Sequence, residues 1–361
     1  MNIKSKILHC SVVHSIDDSR IFYKECVSLV NFGYNVSYIA KSSVNLNFNN
    51  STYLGVNIHI LKNNQRIINN FKVFKKALKF NIIHFHDPEL IIIGLLLKLF
   101  GKKVIYDVHE NYRQTIFYKT NINNNFKWML IKGIIFFEFL ANNLFDAIVV
   151  VTPNIKHLFT NNRTVLVRNF PVLTPVIKAF DFTEKNIVIY IGSLSEKRGI
   201  IEIIKATKYF KNNTELWIAG QWSDIKFQKI CENLNEYNNI KYLGHLNHEA
   251  ISKILSISTI GICLLHPTQS YINSYPIKAF EYLQHGLPVL MSNFIIWEKL
   301  FYDCCEYVDP LNVKLIADKI NLMLDDKMKL QQMSFKGINL VEDKYNWQIE
   351  SFELNNLYID L

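Results

Sequence analysis

Apolar runs of four to six residues alternate along the whole chain with segments whose apolar positions recur at helical spacing. That alternation predicts parallel strands joined by crossover helices, an α/β class of fold. The first half predicts strands over 7–13, 36–39, 56–61, 82–86, 103–107 and 147–151. Helices are expected over 20–31, 70–79, 89–99 and 128–144, with Gly33 and Gly101 as stop signals. A short strand over 165–168 runs into Asn169-Phe170-Pro171-Val172-Leu173-Thr174-Pro175, where two prolines break the periodicity. The pattern then restarts, with strands over 187–191, 216–219, 240–243, 260–265 and 288–291. Helices follow over 200–210, 225–233, 248–255, 276–285 and from 313 onward. Two doubly wound Rossmann-like domains in tandem are expected: 1–170, a linker over 171–185, and 186–344, with a last helix over 345–361.

Length agrees with this division, since 361 residues exceed what one core usually spans. With 49% hydrophobic and 20% charged residues, both halves have the material for a core. The N-terminal residues lack a signal peptide's apolar region, and no apolar stretch reaches the roughly 20 residues of a membrane span. Six cysteines without a C-x-x-C spacing read as reduced residues of a cytoplasmic protein. The net charge of +9 implies an anionic partner. No nucleic-acid-binding motif accompanies it, which leaves phosphorylated substrates or an anionic membrane surface.

Ligands of open α/β sheets bind beyond the carboxyl ends of the strands. Three polar clusters stand there in the first half: His14 to Asp18, His84-Phe85-His86-Asp87-Pro88, and Asp107-Val108-His109-Glu110-Asn111. His84 and His86, spaced H-x-H on a strand, are possible metal ligands, but no further cluster of clear ligand spacing completes a site, and no D-x-D pair occurs. Metal-independent chemistry is expected.

In the second half, Gly192-Ser193-Leu194-Ser195-Glu196-Lys197-Arg198-Gly199 lies between a buried strand and a helix. Glycines that admit close backbone approach, a helix N-terminus and two cations suit a diphosphate. A surface turn with solvated charges is the alternative. The absence of any G-x-G argues against a dinucleotide-binding oxidoreductase. Further on, Pro276 suits a helix start and Gly286 its end. Glu281 on that helix could accept hydrogen bonds from a vicinal diol such as a ribose, or simply pair with Lys278 three residues earlier.

Taken together, His14 to Glu25, His86-Asp87-Pro88-Glu89, Tyr106-Asp107-Val108-His109-Glu110, the 192–199 loop and Tyr275-Pro276-Ile277-Lys278-Ala279-Phe280-Glu281-Tyr282 resemble retaining glycosyltransferases of family 4. The likeness runs in order from about residue 7 to 300. It implies the GT-B architecture, a nucleotide-sugar held by the second domain, an acceptor held by the first, and a final helix returning to the first. It places Gly192, Ser193, Lys197, Arg198, Asn273, Ser274, Pro276, Ile277, Lys278 and Glu281 on the donor. Arg198 matches the basic residue at the donor phosphates, Glu281 the second glutamate of the E-x7-E motif, and His109 a histidine near the transferred sugar. The candidate catalytic residues are His109, Arg198, Asp17 and Asp87; His14, Asp17, Arg20, His86 and Glu110 fall on the acceptor side. No metal and no cofactor are implied beyond a nucleoside diphosphate sugar.

Two departures stand out: Asn273 occupies the first glutamate position, and Ser193 stands where many relatives carry arginine. The expected activity is hexosyl transfer, with retention, to a hydroxyl of a glycan, such as a lipid-linked saccharide in bacterial capsule or lipopolysaccharide assembly. The basic balance fits a peripheral enzyme at the inner face of the plasma membrane, with 71–79 and 117–132 as contact segments. Alternatives are a nucleotide-sugar 2-epimerase of similar architecture and a non-catalytic partner protein.

Overall fold

The computed structural model describes residues 5–42, 51–62, 65–118, 123–174 and 186–361. The chain divides into two compact units, Met1–Asn169 with Trp347–Leu361, and Phe170–Asn346. Residues 175–185 of the expected linker lie outside the described residues.

In the first unit the strands are β1 (Lys6–Ser15), β2 (Asn35–Lys41), β3 (Thr52–Tyr53), β4 (Val56–Leu61), β5 (Ile82–Phe85), β6 (Lys103–Val108), β7 (Ala147–Val150) and β8 (Thr164–Leu166). They form one sheet in the order β3-β4-β2-β1-β5-β6-β7-β8, parallel except for the antiparallel edge pair β3–β4. Their near-continuous apolar runs follow from burial on both faces, as in the Ile7, Leu8, Cys10 and Val12 series of β1. The winding reverses between β1 and β5, so the carboxyl ends of those two strands border a topological switch point.

The second unit holds β9 (Asn186–Ile191), β10 (Thr214–Ala219), β11 (Ile240–Tyr242), β12 (Ile260–Cys263), β13 (Val289–Ser292) and β14 (Cys305–Val308). All are parallel, in the order β11-β10-β9-β12-β13-β14, which puts the switch point between β9 and β12. Tyr282 fixes the helix Ile277–Gln284 to this sheet: its ring fills the space above Gly261, and its hydroxyl accepts from Ile191 N at 2.8 Å.

Several expectations need correction in detail. The stretch 20–31 begins as a π-helical turn, Ile21–Cys26, before the α-helix Val27–Asn31. The helix expected over 70–79 starts earlier, at Arg66. Edge strand β14 and the helices Tyr112–Tyr118 and Ile295–Phe301 were not expected from the pattern. These pieces are four to seven residues long, too short to display a period. The six cysteines are buried and unpaired.

The helix Trp347–Ile359 packs in the first unit. Its buried Glu350 accepts from Arg168 N at 2.6 Å and Arg168 Nε at 2.9 Å, and Trp347 Nε1 donates to Ser28 Oγ at 2.8 Å.

Candidate functional site

On β1, β5 and β6 and just beyond them the first unit gathers a cluster of titratable side chains, most of them fully buried. Parallel register sets His9 directly beside His84, and the chain order then delivers His86 and Asp87 after β5 and His109 after β6. Four contacts link the rings. His84 Nδ1 lies 2.7 Å from the Tyr358 hydroxyl, that hydroxyl 3.1 Å from His9 Nε2, His9 Nδ1 3.0 Å from His86 Nε2, and His86 Nδ1 3.1 Å from His109 Nε2.

Asp107 stands at the centre. Its Oδ2 is 3.3 Å from Arg20 Nη2, 3.3 Å from His109 Nε2, 3.4 Å from His86 Nδ1 and 3.7 Å from His84 Nε2. Burial alone would raise this carboxyl, but the Arg20 guanidinium, then His109 and His84, hold it well below the usual carboxylate range. Glu25 goes the other way: burial and the neighbouring Asp107 charge push it well up, against the pull of Arg20. Arg20 Nε approaches Glu25 Oε1 to 2.9 Å, a charge contact without good hydrogen-bond alignment. Burial lowers His9, His84 and His86, which are therefore neutral rings.

The fold thus supplies what spacing could not. Donor atoms of Glu25, His86, Asp107 and His109 lie within 4.8 Å of one another, as do those of His9, Glu25 and His84. The sequence had offered His84 and His86 without partners. Within this group, however, the Arg20 guanidinium already places a fixed cation against both carboxylates.

Three sequence assignments change with burial. Arg20, expected on the acceptor side, is buried between Asp107 and Glu25. His86 is likewise interior, because both ring nitrogens face other side chains. Asp87 is committed to the chain itself: its Oδ2 accepts from Ser11 Oγ at 2.9 Å, Val12 N at 2.6 Å and Val13 N at 3.3 Å, which supports an anchoring task rather than proton handling. Half-buried at the rim are His14, Asp17 and His109, with Glu110 exposed and bonded to Thr115. His14 lies 3.0 Å from Asp18. Burial opposes its charge, yet Asp18 raises His14 above its ordinary value and is itself held low in return.

In the second unit the loop after β9 is shaped by backbone contact. Gly199 turns at φ 67°, and a Cβ there would sit 2.4 Å from the Leu264 carbonyl oxygen; one at Gly220 would sit 1.7 Å from that of Gly192. Tyr190 donates to Ser193 O at 2.8 Å and lies beside the half-buried Arg198. Among the described residues no carboxylate pairs with Arg198 or Lys197, so this loop carries uncompensated positive charge. Buried Cys263, pushed up to about 12, is within electrostatic reach of both Arg198 and Lys278, which brings the two cations to the end of β12.

Lys278 Nζ lies 2.6 Å from Glu281 Oε2, both half-exposed, so the helix pair weighed from sequence is made. Asn273 caps the short helix Gln269–Ile272 and is exposed, Ser274 O accepts from Trp297 Nε1 at 2.8 Å, and buried Pro276 opens the helix bearing Ile277, Lys278 and Glu281. The residues expected on the donor lie on two neighbouring loops and one helix around the switch point.

Two parallel-sheet Rossmann-like units with sites at their switch points define the GT-B fold, and solved structures agree. Sucrose-phosphate synthase from Thermosynechococcus elongatus superposes with a TM-score of 0.75 at 16% identity, over 99% of each chain. HepE of Anabaena, solved with UDP-glucose, gives 0.74 at 11% identity over 99% of this chain and 100% of that one. Residues 177–339 match the family model of glycosyl transferases group 1. Among curated proteins, O-antigen chain mannosyltransferase B of Escherichia coli is 20% identical over 51% of this chain and 48% of its own length. Lipopolysaccharide glucosyltransferase WaaG of Escherichia coli K12 is 26% identical over 30% of this chain and 28% of its own. The aligned stretches thus span about half, or less, of these relatives.

Proposed function

We propose that the protein is a nucleotide-sugar-dependent glycosyltransferase that moves a hexosyl group from a nucleoside diphosphate sugar to a hydroxyl of a glycan, with retention at the anomeric carbon. The observation that carries this reading is the pair Arg198 and Lys197, cations without a carboxylate partner among the described residues, on a glycine-shaped loop at the switch point of the second unit. The match of 177–339 to group 1 glycosyl transferases supports it.

In this reading the departing diphosphate gathers charge as the bond to the anomeric carbon breaks, and fixed cations beside it lower that barrier. The acceptor oxygen bonds to the same face while its proton passes to the leaving phosphate oxygen. Glu281 holds the ribose diol, Lys278 turns to the phosphates, and His109 with Asp17 and His14 meets the saccharide. No metal is required for the donor phosphates, because Arg198 and Lys197 supply the charge. The roles of the two curated relatives, an O-antigen chain mannosyltransferase and a lipopolysaccharide glucosyltransferase, support a bacterial surface polysaccharide as the product; the lipid-linked acceptor and a place in the cytoplasm at the inner face of the plasma membrane belong to the same proposal. No described helix is long and apolar enough to cross a membrane.

Thermal unfolding in the presence of UDP, GDP, ADP, TDP or CMP tests the donor site. One nucleotide at 100 times its Kd should add about 2.7 kcal/mol of stability. That gain should vanish in Arg198→Ala and Glu281→Ala. With the donor so identified, Arg198→Ala should lose on the order of 10²–10³ in kcat. No shift with any nucleotide, or near-normal turnover of Arg198→Ala, would remove the assignment.

A further inference from the structure

The chain of rings in the first unit has a direction, and that direction can be worked out. His9, His84 and His86 are neutral, so each carries one N–H and one lone pair. Four contacts join five groups in series; with one N–H on each ring, one proton in each contact and the Tyr358 proton inside the series, only two arrangements remain.

In one arrangement every imidazole is protonated at Nε2. His109 donates to His86 Nδ1, His86 to His9 Nδ1, His9 to the Tyr358 oxygen, and the Tyr358 hydroxyl to His84 Nδ1. The N–H sides of His84 and His109 then lie 3.7 and 3.3 Å from Asp107 Oδ2, as charge–dipole contacts rather than aligned hydrogen bonds. In the reverse arrangement both present lone pairs to that carboxylate, at 3.7 and 3.3 Å, and only His86, at 3.4 Å, offers it an N–H. Asp107 is ionised against Arg20 and can only accept. Two facing N–H groups and one lone pair are better than the converse, and in a buried site the difference is not screened by water.

We infer that this chain holds His109 as the Nε2–H tautomer, leaving its half-exposed Nδ1 as an unprotonated acceptor for a saccharide hydroxyl, with Tyr358 and Asp107 as the positioning residues. The saccharide part rests on the proposed function; the tautomer does not. Among the described residues nothing bonds His109 Nδ1, and that atom is not enclosed. The charged or titratable groups around His109 are Asp107 on the strand it follows, His86 after β5, and His14 at the end of β1 with its partner Asp18. The His14 ring centroid is 5.2 Å from that of His109. Tyr358 gives the C-terminal helix a part in the site, since its hydroxyl alone turns the hydrogen-bond direction between His84 and His9.

Long-range proton–nitrogen correlation spectra of protein carrying ring-labelled histidine read the tautomer directly, with His109→Gln to assign the signal. In the wild type His109 should show Nε2–H. Asp107→Asn, whose amide can donate to ring lone pairs, should move His109 toward Nδ1–H and lower kcat on the order of 10²–10⁴-fold. Its donor KM should stay within about twofold, because the interaction lost is not one that binds the nucleotide. Tyr358→Phe should leave a mixture of both forms at His109, with a smaller loss of kcat.

An Nδ1–H signal for His109 in the wild type overturns the inference without recourse to any variant, so a variant that fails to fold does not protect it. So does an unchanged Nε2–H signal in both folded variants. One equivalent of tightly bound zinc, whose removal by a chelator abolishes the wild-type pattern, would overturn it in favour of a metal centre. If no donor supports transfer, the proposed function fails while the spectrum still decides the tautomer.

Discussion

Gly199 follows Arg198 directly, and its φ of 67° belongs to the left-handed region that side chains resist. An alanine there also meets the Leu264 carbonyl oxygen at 2.4 Å, backbone that cannot rotate aside. Gly199→Ala is therefore expected to cost at least about 2 kcal/mol in urea unfolding of the second unit. It should also weaken nucleotide binding, because the strain falls on the loop that aims Arg198. A change within about 0.5 kcal/mol, typical of surface sites, would mean that the loop does not depend on this turn. Residues of this kind were readable in advance, since glycines flanking a strand-to-helix loop advertise their purpose. Glu25, His9 and Tyr358 were not. Each is an ordinary member of its own segment, and only parallel register and the docking of a distant helix bring them to Asp107.

The helix Asn124–Leu144 uses two faces for different ends. Ile131, Glu138 and Ala141 are buried, and Glu138 accepts from Arg113 Nε at 2.8 Å, tying the helix to its neighbour. Trp128, Met129, Ile135, Phe136 and Phe139 are exposed, with Lys132 among them. So much aromatic surface beside lysine suits the interface of an anionic bilayer. Wild-type protein is expected to sediment with anionic vesicles at low salt and to be released at high salt. Trp128→Ala with Phe136→Ala should weaken that binding by at least about tenfold without lowering the Tm, given roughly 1.5–3 kcal/mol for each large apolar side chain. No binding of wild type at low salt would reject the membrane reading. At this scale the sequence was most legible where strands are buried on both faces, because period and composition agree there. It was least legible in β14 and the helices Tyr112–Tyr118 and Ile295–Phe301, whose few residues are held by packing rather than by pattern.

For the molecule as a whole, the buried cluster makes stability depend on acid. His9, His84 and His86 are kept neutral in the fold, so below about pH 6.5 they take up protons on unfolding. Their contribution is present above that pH and is lost as pH falls. Glu25, raised in the fold, releases a proton on unfolding over the same range and opposes them. His14, raised by Asp18, contributes stability that is full below its ordinary value and fades as pH climbs through its raised one. Below about pH 6.5 three histidines that gain protons on unfolding outnumber one glutamate that loses one, so the first unit is expected to lose stability as the pH falls toward about 5. Chemical unfolding of the first unit across that range measures it; a flat profile would mean that the buried rings are already charged.

The seating of Trp347–Ile359 among the strands of the first unit also bears on how the protein is made. Arg168 waits for Glu350, and His84 and His9 for the hydroxyl of Tyr358, while the ribosome translates the whole of the second unit. The first unit to emerge is thus the last to be finished. Until then its histidine cluster holds polar groups without their native partners, and its core is open to chaperones and proteases for the length of a second domain's synthesis.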